Sequence, residues 1–147
     1  EIAQCLVGSE MCIRDSCGVG LDEGMLNFIY ELKTGALIES SMMIGALLAG
    51  AEDAELEKVQ KIASDVGIAF QIQDDILDVT STTEELGKPV HSDEKNEKTT
   101  YVTLKGLEKA TRDVEVISQE ALELLSGLDR ENAYLTQLIR ELIHRKK

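Results

Sequence analysis

Three aspartates and two glutamines lie close together in one segment of the sequence, Phe70-Gln-Ile-Gln-Asp-Asp-Ile-Leu-Asp78. If this segment is helical, four of its polar side chains share an arc of about 100° on one side of the helix: Gln71, Asp74, Asp75 and Asp78. The rest of the segment is mostly apolar, and a helix that is apolar on its other sides is usually buried. Ionised carboxylates that share a buried cavity repel one another and require cations.

The type of donor indicates which cation would bind. Oxygen ligands without His or Cys favour Mg²⁺ over zinc or copper. In proteins, Mg²⁺ usually divides its ligands among one or two carboxylates, water and substrate phosphates. The pattern therefore predicts Mg²⁺ with a bound diphosphate or triphosphate. The alternative is a solvent-exposed acidic stripe on an amphipathic helix, and the spacing alone does not separate these two interpretations.

Three lysines favour the phosphate interpretation. Lys33 lies in a largely apolar stretch, where a buried ammonium group without a partner would be costly, so it should meet an anion or point outward. Lys88 and Lys98 lie towards the two ends of a charged, proline-containing segment. Each lysine alone could be an ordinary solvated side chain. Together with the aspartates, they could place ammonium groups on one side of a phosphate group and metal ions on the other.

The elements that must position these side chains are predicted to be helices, so we expect an all-α fold. Apolar residues recur at three- and four-residue steps, and the predicted helices cover residues 24–48, 53–80, 99–128 with a break near Gly106, and 129–144. Residues 81–97 are predicted to form a loop. Two small residues, Ser64 and Gly67, lie on the same arc as the aspartates, and we expect them to leave space above it.

Composition excludes several classes of protein. The chain has 147 residues and a formal net charge of −13, whereas a nucleic-acid-binding protein needs a basic surface. No apolar stretch reaches the roughly 20 residues of a membrane span. We find no basic-then-apolar signal sequence and therefore expect a cytoplasmic protein. The three cysteines, Cys5, Cys12 and Cys17, form neither a convincing disulfide framework nor a zinc site.

The first 17 residues differ from the rest of the chain because they show neither helical nor strand periodicity. Within them, residues 6–16 resemble the translation of a transposase adapter oligonucleotide used in sequencing libraries. We therefore predict that residues 1–17 are non-native or disordered, and that the adapter-like residues 6–16 contribute nothing to the fold.

Four ordered motifs in residues 22–147 resemble the trans-isoprenyl diphosphate synthases, and most closely the bacterial farnesyl and geranylgeranyl diphosphate synthases. The motifs are Lys33-Thr34-Gly35, Phe70-Gln71 with Asp74-Asp75-x-x-Asp78, Gly87-Lys88, and Lys98-Thr-Thr-Tyr101. The resemblance implies an all-α bundle around a central cavity, usually in a homodimer. It also implies condensation of an allylic diphosphate with isopentenyl diphosphate and release of pyrophosphate.

The resemblance further implies a role for each motif residue. Three aspartates would bind several Mg²⁺ ions that bridge to the allylic diphosphate: Asp74, Asp75 and Asp78. The catalytic groups contacting that diphosphate would be Lys33, Lys88 and Lys98. Further substrate-binding residues would be Thr34, Phe70 and Gln71.

The sequence departs from this family in one large respect: it contains no first aspartate-rich motif. We therefore interpret residues 18–147 as the carboxyl-terminal half of a single synthase domain, and we expect the chain alone to be inactive and poorly folded. Two alternatives remain open. The chain could be a non-catalytic acidic helical subunit of a hetero-oligomeric prenyl synthase. It could instead belong to a related Mg²⁺-dependent enzyme, such as a terpenoid cyclase or a squalene-type synthase, although the lysine motifs fit the chain-elongating enzymes better.

Overall fold

A computed structural model describes residues 22–81, 99–130, 132–143 and Arg145. These residues are 86% helical and contain no strand, which confirms the predicted all-α fold. Residues 1–17 lie outside the described part, as do Lys88, Lys98 and all but the first residue of the predicted 81–97 loop. Within the described ranges, no helix is both long enough and apolar enough to cross a membrane.

Six α-helices and one π-helix make up the described structure. In chain order they are α1 (Glu23–Tyr30), the π-helix (Glu31–Gly35), α2 (Ala36–Leu48), α3 (Asp53–Thr80), α4 (Tyr101–Lys105), α5 (Leu107–Ser126) and α6 (Ala133–Ile143).

The first three elements run without a break and together form the helix predicted over residues 24–48. Asp22 begins α1 because its side chain accepts a hydrogen bond from the Met25 N–H at 2.8 Å. The segment stops near Gly50, whose φ of 78° lies in the left-handed region that glycine adopts without strain. The sequence periodicity did not predict the π-helix, which carries Lys33 and Thr34.

The central element is α3, whose bounds match the prediction. Its apolar side chains form the middle of the core, and four of its residues have no exposed surface: Ile62, Ala63, Ala69 and Ile72. It packs against α5, and also against α2 and the π-helix, with further contacts to α6. Burial of an Ile side chain contributes about 1.5–3 kcal/mol, so these residues fix the position of the polar arc that the same helix carries.

A capping box at the start of α4 and a glycine between α4 and α5 determine the path of the chain after residue 99. Thr100 begins α4 with a reciprocal pair of hydrogen bonds to Thr103, a capping box. Gly106 separates α4 from α5 with a φ of 81°, which confirms the predicted break. This arrangement places the backbone of Tyr101 against α3.

Candidate functional site

The π-helix and the second half of α3 bring two predicted substrate-binding residues together. The buried Gln71 donates from Nε2 to the hydroxyl oxygen of Thr34 at 2.8 Å. A π-helix adds one residue to a helical turn and is frequent at functional sites. Lys33, next to Thr34, is exposed and makes no hydrogen bond or ion pair with the residues that the structure describes.

Two glycines allow this close approach, and they correct one prediction. A Cβ on Gly67 would lie only 2.8 Å from the Cα of Gly35. The space expected above Gly67 is therefore filled by the π-helix backbone, because two helices without side chains at the crossing approach to backbone contact. The prediction of open space there was wrong at Gly67.

Asp75 is buried, with 5% of its surface exposed, and its Oδ2 atom is where three segments meet. The Tyr101 N–H donates to it at 2.8 Å, and the Tyr30 hydroxyl also donates to it. The Tyr101 N–H lies 3.2 Å from the Tyr30 hydroxyl oxygen as well. These donors compensate for the desolvation of the carboxylate.

Asp74 has a different environment on the other side of the arc. Its Oδ1 accepts from Nη2 of Arg145 at 3.1 Å, and its side chain is 44% exposed. The Arg145 guanidinium also lies 3.9 Å from the centre of the Phe70 ring, within the range of a cation–π contact. An ion pair of this exposure contributes little to stability, so Asp74 can exchange its partner at small cost.

Asp78 is buried with 4% of its surface exposed, one turn beyond Asp74 and Asp75 on α3. Among the residues that the structure describes, no three His, Cys, Asp or Glu side chains form a group able to hold a metal ion. Mg²⁺ usually needs only one or two carboxylates beside water and substrate phosphates. The half-exposed Asp74 carboxylate fits that requirement, whereas Asp75 Oδ2 is already bound by two protein donors.

Sequence reasoning missed a polar network next to Asp75. The Tyr101 hydroxyl donates to Asp113 at 2.8 Å, and Lys109 donates to the same carboxylate. Burial, followed by the contact with Asp113, raises the pKa of Tyr101 well above its ordinary value. Burial also tends to raise the pKa of Asp113, but the hydrogen bonds from Lys109 and Tyr101 outweigh it and lower that pKa.

A sequence signal existed for only some of these missed residues. Tyr101 belongs to the Lys98-Thr-Thr-Tyr101 motif, and the Lys109–Asp113 spacing of four residues is typical of a helical ion pair. Tyr30 and Arg145 carried no such signal, because their partners are 45 and 71 residues away in the chain.

The fold and these motifs define a class of protein, and comparison with known families identifies it. The sequence model of the family described as Polyprenyl synthetase matches residues 7–141. The chain therefore belongs to the polyprenyl synthetase family. The match begins inside the adapter-like stretch, and the non-native origin of residues 1–17 stays a prediction.

Curated relatives agree with this assignment. The geranylgeranyl pyrophosphate synthase of Catharanthus roseus, named as chloroplastic, is 41% identical over 140 residues, which are 90% of this chain and 39% of the relative. The geranylgeranyl diphosphate synthase of Cyanophora paradoxa is 39% identical over 120 residues, covering 82% of this chain and 40% of the relative. The chain thus spans about two fifths of the length of these relatives.

Solved structures show the same fold. A Helicobacter pylori geranyltransferase, complexed with magnesium and isoprenyl diphosphate, matches with a TM-score of 0.74 and 30% identity over 93% of this chain and 45% of that chain. Heptaprenyl diphosphate synthase from Staphylococcus aureus matches with a TM-score of 0.85 over 99% of this chain and 59% of that chain, and its 22% identity supports the fold alone.

Proposed function

We propose that this chain is part of a short-chain prenyltransferase that condenses an allylic diphosphate with isopentenyl diphosphate and releases pyrophosphate. Family membership and the names of the relatives support this activity. The observation that carries it is the contact between Gln71 and Thr34, which holds the lysine-bearing π-helix against the acidic face of α3.

In this proposal the acidic face binds the allylic diphosphate through Mg²⁺, with Asp74, Asp75 and Asp78 as its acidic groups. A Mg²⁺ ion, when bound, would neutralise charge that develops on the departing pyrophosphate. The half-exposed Asp74 side chain supports direct contact with the ion. The complex of the H. pylori geranyltransferase with magnesium and isoprenyl diphosphate supports the choice of Mg²⁺ as the ion.

The chain's own cations would contact the diphosphate from the other side. Lys33 is exposed and has no anionic partner among the described residues, so its ammonium group can meet a phosphate without first breaking an ion pair. Lys88 and Lys98, in the Gly87-Lys88 and Lys98-Thr-Thr-Tyr101 motifs, would add two further ammonium groups. Thr34, Phe70 and Gln71 would line the same site. Fixed ammonium groups stabilise charge that develops on a leaving group.

The location and assembly of the enzyme are part of the same proposal. We place it in the cytoplasm, as the sequence predicts, although some relatives are named as chloroplastic. We also propose that the whole enzyme is a homodimer, and that this chain without the first aspartate-rich motif does not turn over substrate.

The second candidate is a non-catalytic partner subunit, and ligand binding separates it from an enzyme. We expect Mg²⁺ together with inorganic pyrophosphate to raise the unfolding midpoint of the protein, because a ligand that binds only the folded state stabilises it, by about 2.7 kcal/mol at one hundred times its Kd. Asp74→Ala should abolish this rise. The control Glu120→Ala removes an exposed carboxylate from α5 and should leave the rise intact.

Turnover is measured on the full-length enzyme with an allylic diphosphate, isopentenyl diphosphate and Mg²⁺. Release of pyrophosphate with formation of a longer prenyl diphosphate is the expected result. A protein that neither binds Mg²⁺ and pyrophosphate nor forms such a product would be a partner subunit. Product formation by the 147-residue chain alone would contradict only the expected inactivity of the chain.

A further inference from the structure

The carboxylate of Asp75 joins three segments that are far apart in the sequence. Its Oδ2 accepts hydrogen bonds from the Tyr30 hydroxyl at the end of α1 and from the Tyr101 N–H at the start of α4. All three residues are buried, with 3% of Tyr30, 5% of Asp75 and 6% of Tyr101 exposed. Hydrogen bonds to a charged acceptor in such a place are strong and directional.

Both donor residues are close in sequence to a lysine of the proposed site. Tyr30 precedes Lys33 by three residues, and Tyr101 follows Lys98 by three residues. The π-helix that carries Lys33 follows directly after Tyr30, so a large movement of Lys33 away from α3 would stretch the hydrogen bond from Tyr30 to Asp75. A large movement of the start of α4 would stretch the hydrogen bond from Tyr101 to the same oxygen.

Asp74 makes a useful contrast with its neighbour. Its side chain is 44% exposed, and it accepts a hydrogen bond from the guanidinium side chain of Arg145, whereas Asp75 accepts one from the backbone of α4. An exposed carboxylate can accept a metal ion with little rearrangement. Asp75 is only 5% exposed and its Oδ2 is held by Tyr30 and Tyr101, so its carboxylate is less open to a metal ion than that of Asp74.

We infer that Asp75 and Tyr30 are positioning residues: hydrogen bonds from the Tyr30 hydroxyl and the Tyr101 N–H make Asp75 the anchor that holds the Lys33-bearing π-helix and the start of α4 against α3, while Asp74 makes the direct contact with Mg²⁺. This inference rests on the proposed function and divides its acidic group into two roles. Tyr30 acts through Asp75 and touches neither substrate nor metal.

The experiment compares four variants of the full-length enzyme by steady-state kinetics and by calorimetry of inorganic pyrophosphate binding at varied Mg²⁺ concentration. Tyr30→Phe removes one donor and keeps the ring. Asp75→Asn keeps an oxygen that can accept both hydrogen bonds. Asp74→Asn weakens the proposed metal contact, and Tyr134→Phe is the matched control, because that tyrosine is 76% exposed on α6.

We expect Tyr30→Phe to lower kcat about tenfold, the effect of losing one hydrogen bond to a charged group. The Mg²⁺ concentration that half-saturates pyrophosphate binding should stay unchanged in Tyr30→Phe and Asp75→Asn. It should rise in Asp74→Asn. Tyr134→Phe should match the wild type in every measurement, and circular dichroism at the assay temperature checks that each variant is folded.

Two outcomes overturn the inference while leaving the proposed function intact. In the first, Asp75→Asn raises the Mg²⁺ requirement as much as Asp74→Asn, which would make Asp75 a direct metal ligand. In the second, Tyr30→Phe lowers only the melting temperature and leaves kcat unchanged, which would make Tyr30 merely structural. A wild-type enzyme without Mg²⁺-dependent pyrophosphate binding would instead overturn the proposed function and this inference with it.

Discussion

Helices α2 and α3 lie side by side, yet they relate to the core in opposite ways. α2 is rich in Leu, Ile and Met, and in the described structure it has no buried residue; Leu37 is 70% exposed and Leu48 is 85% exposed. α3 carries many charged residues and nevertheless has thirteen buried ones, including Asp65, Asp75 and Asp78. Apolar composition therefore predicts that a segment is helical better than it predicts which side chains are covered.

α3 buries more side chains than α2 because more helices pack against it. α3 contacts α2, the π-helix, α5 and α6, so three of its acidic side chains, Asp65, Asp75 and Asp78, are buried. Among the described elements, α2 packs mainly against α3 and the π-helix. A buried polar group is tolerated where the surrounding elements supply donors, as Tyr30 and Tyr101 do for Asp75.

Among substitutions that test the contrast between α2 and α3, removal of a core side chain from α3 should change the free energy of unfolding most. Ile72→Ala should lower the free energy of unfolding by about 2–5 kcal/mol, because Ile72 has no exposed surface and its removal leaves a cavity. Leu48→Ala, the control on α2, should change it by less than about 0.5 kcal/mol. Urea unfolding followed by circular dichroism measures both.

If Ile72→Ala and Leu48→Ala lowered the free energy of unfolding equally, Leu48 would be as buried as Ile72. The contrast between an exposed α2 and a buried α3 would then be wrong. The wild-type curve of the 147-residue chain also tests a sequence-based expectation. A sharp cooperative transition would contradict the prediction that the chain is poorly folded alone.

The next effect concerns the crossing of the π-helix over α3. Gly67→Ala should cost about 1–3 kcal/mol, since the new Cβ would lie 2.8 Å from the Cα of Gly35 and the backbone has to shift. Gly45→Ala on α2 is the matched control, because its Cβ would meet nothing within 4 Å. That control should stabilise the helix by about 0.5–1 kcal/mol.

Thermal unfolding of both glycine variants gives the sign of each change. A stabilising Gly67→Ala would mean that the two backbones are not in contact. A destabilising Gly45→Ala would mean that α2 has a close neighbour at that position. Either result would weaken the contrast between the two helices.

Much of the fold could be predicted because it depends on local pattern. The bounds of α3, the break at Gly106 and the stop near Gly50 all follow from periodicity and from glycine, so the sequence predicts them directly. The π-helix at Glu31–Gly35 could not be predicted in the same way. It ends at Gly35, which lies against Gly67, and these two residues are 32 positions apart in the chain, beyond the reach of a local pattern.

The candidate site likewise has features that follow from the local sequence and features that depend on distant residues. The arc shared by Gln71 and the aspartates follows from helical geometry, whereas the hydrogen bond from Gln71 to Thr34 was not predicted. What the helical wheel could not show is that Asp74 and Asp75 have different partners. That difference arises from residues on distant segments, Arg145 for one and Tyr30 with Tyr101 for the other.

The smallest expected effect concerns Asp113 on α5, whose carboxylate accepts a hydrogen bond from the Tyr101 hydroxyl. The pKa of Asp113 is lowered from 3.8 because hydrogen bonds from Lys109 and Tyr101 outweigh the opposing effect of burial. A lowered pKa means that the folded state binds this proton less tightly than the unfolded state. The ionised group therefore stabilises the fold above pH 3.8, and this contribution is lost as the pH falls through the lowered pKa.

Asp113→Asn should accordingly lower the free energy of unfolding at pH 7 by less than about 1 kcal/mol, since the carboxylate is partly exposed. The difference from the wild type should shrink as the pH falls below 3.8, where the wild-type carboxylate also becomes neutral. Glu115→Gln, an exposed neighbour on α5, should show little difference at either pH. A cost for Asp113→Asn that is the same at pH 7 and below pH 3.8 would mean that the shape of the side chain, and not its charge, holds Tyr101 in place.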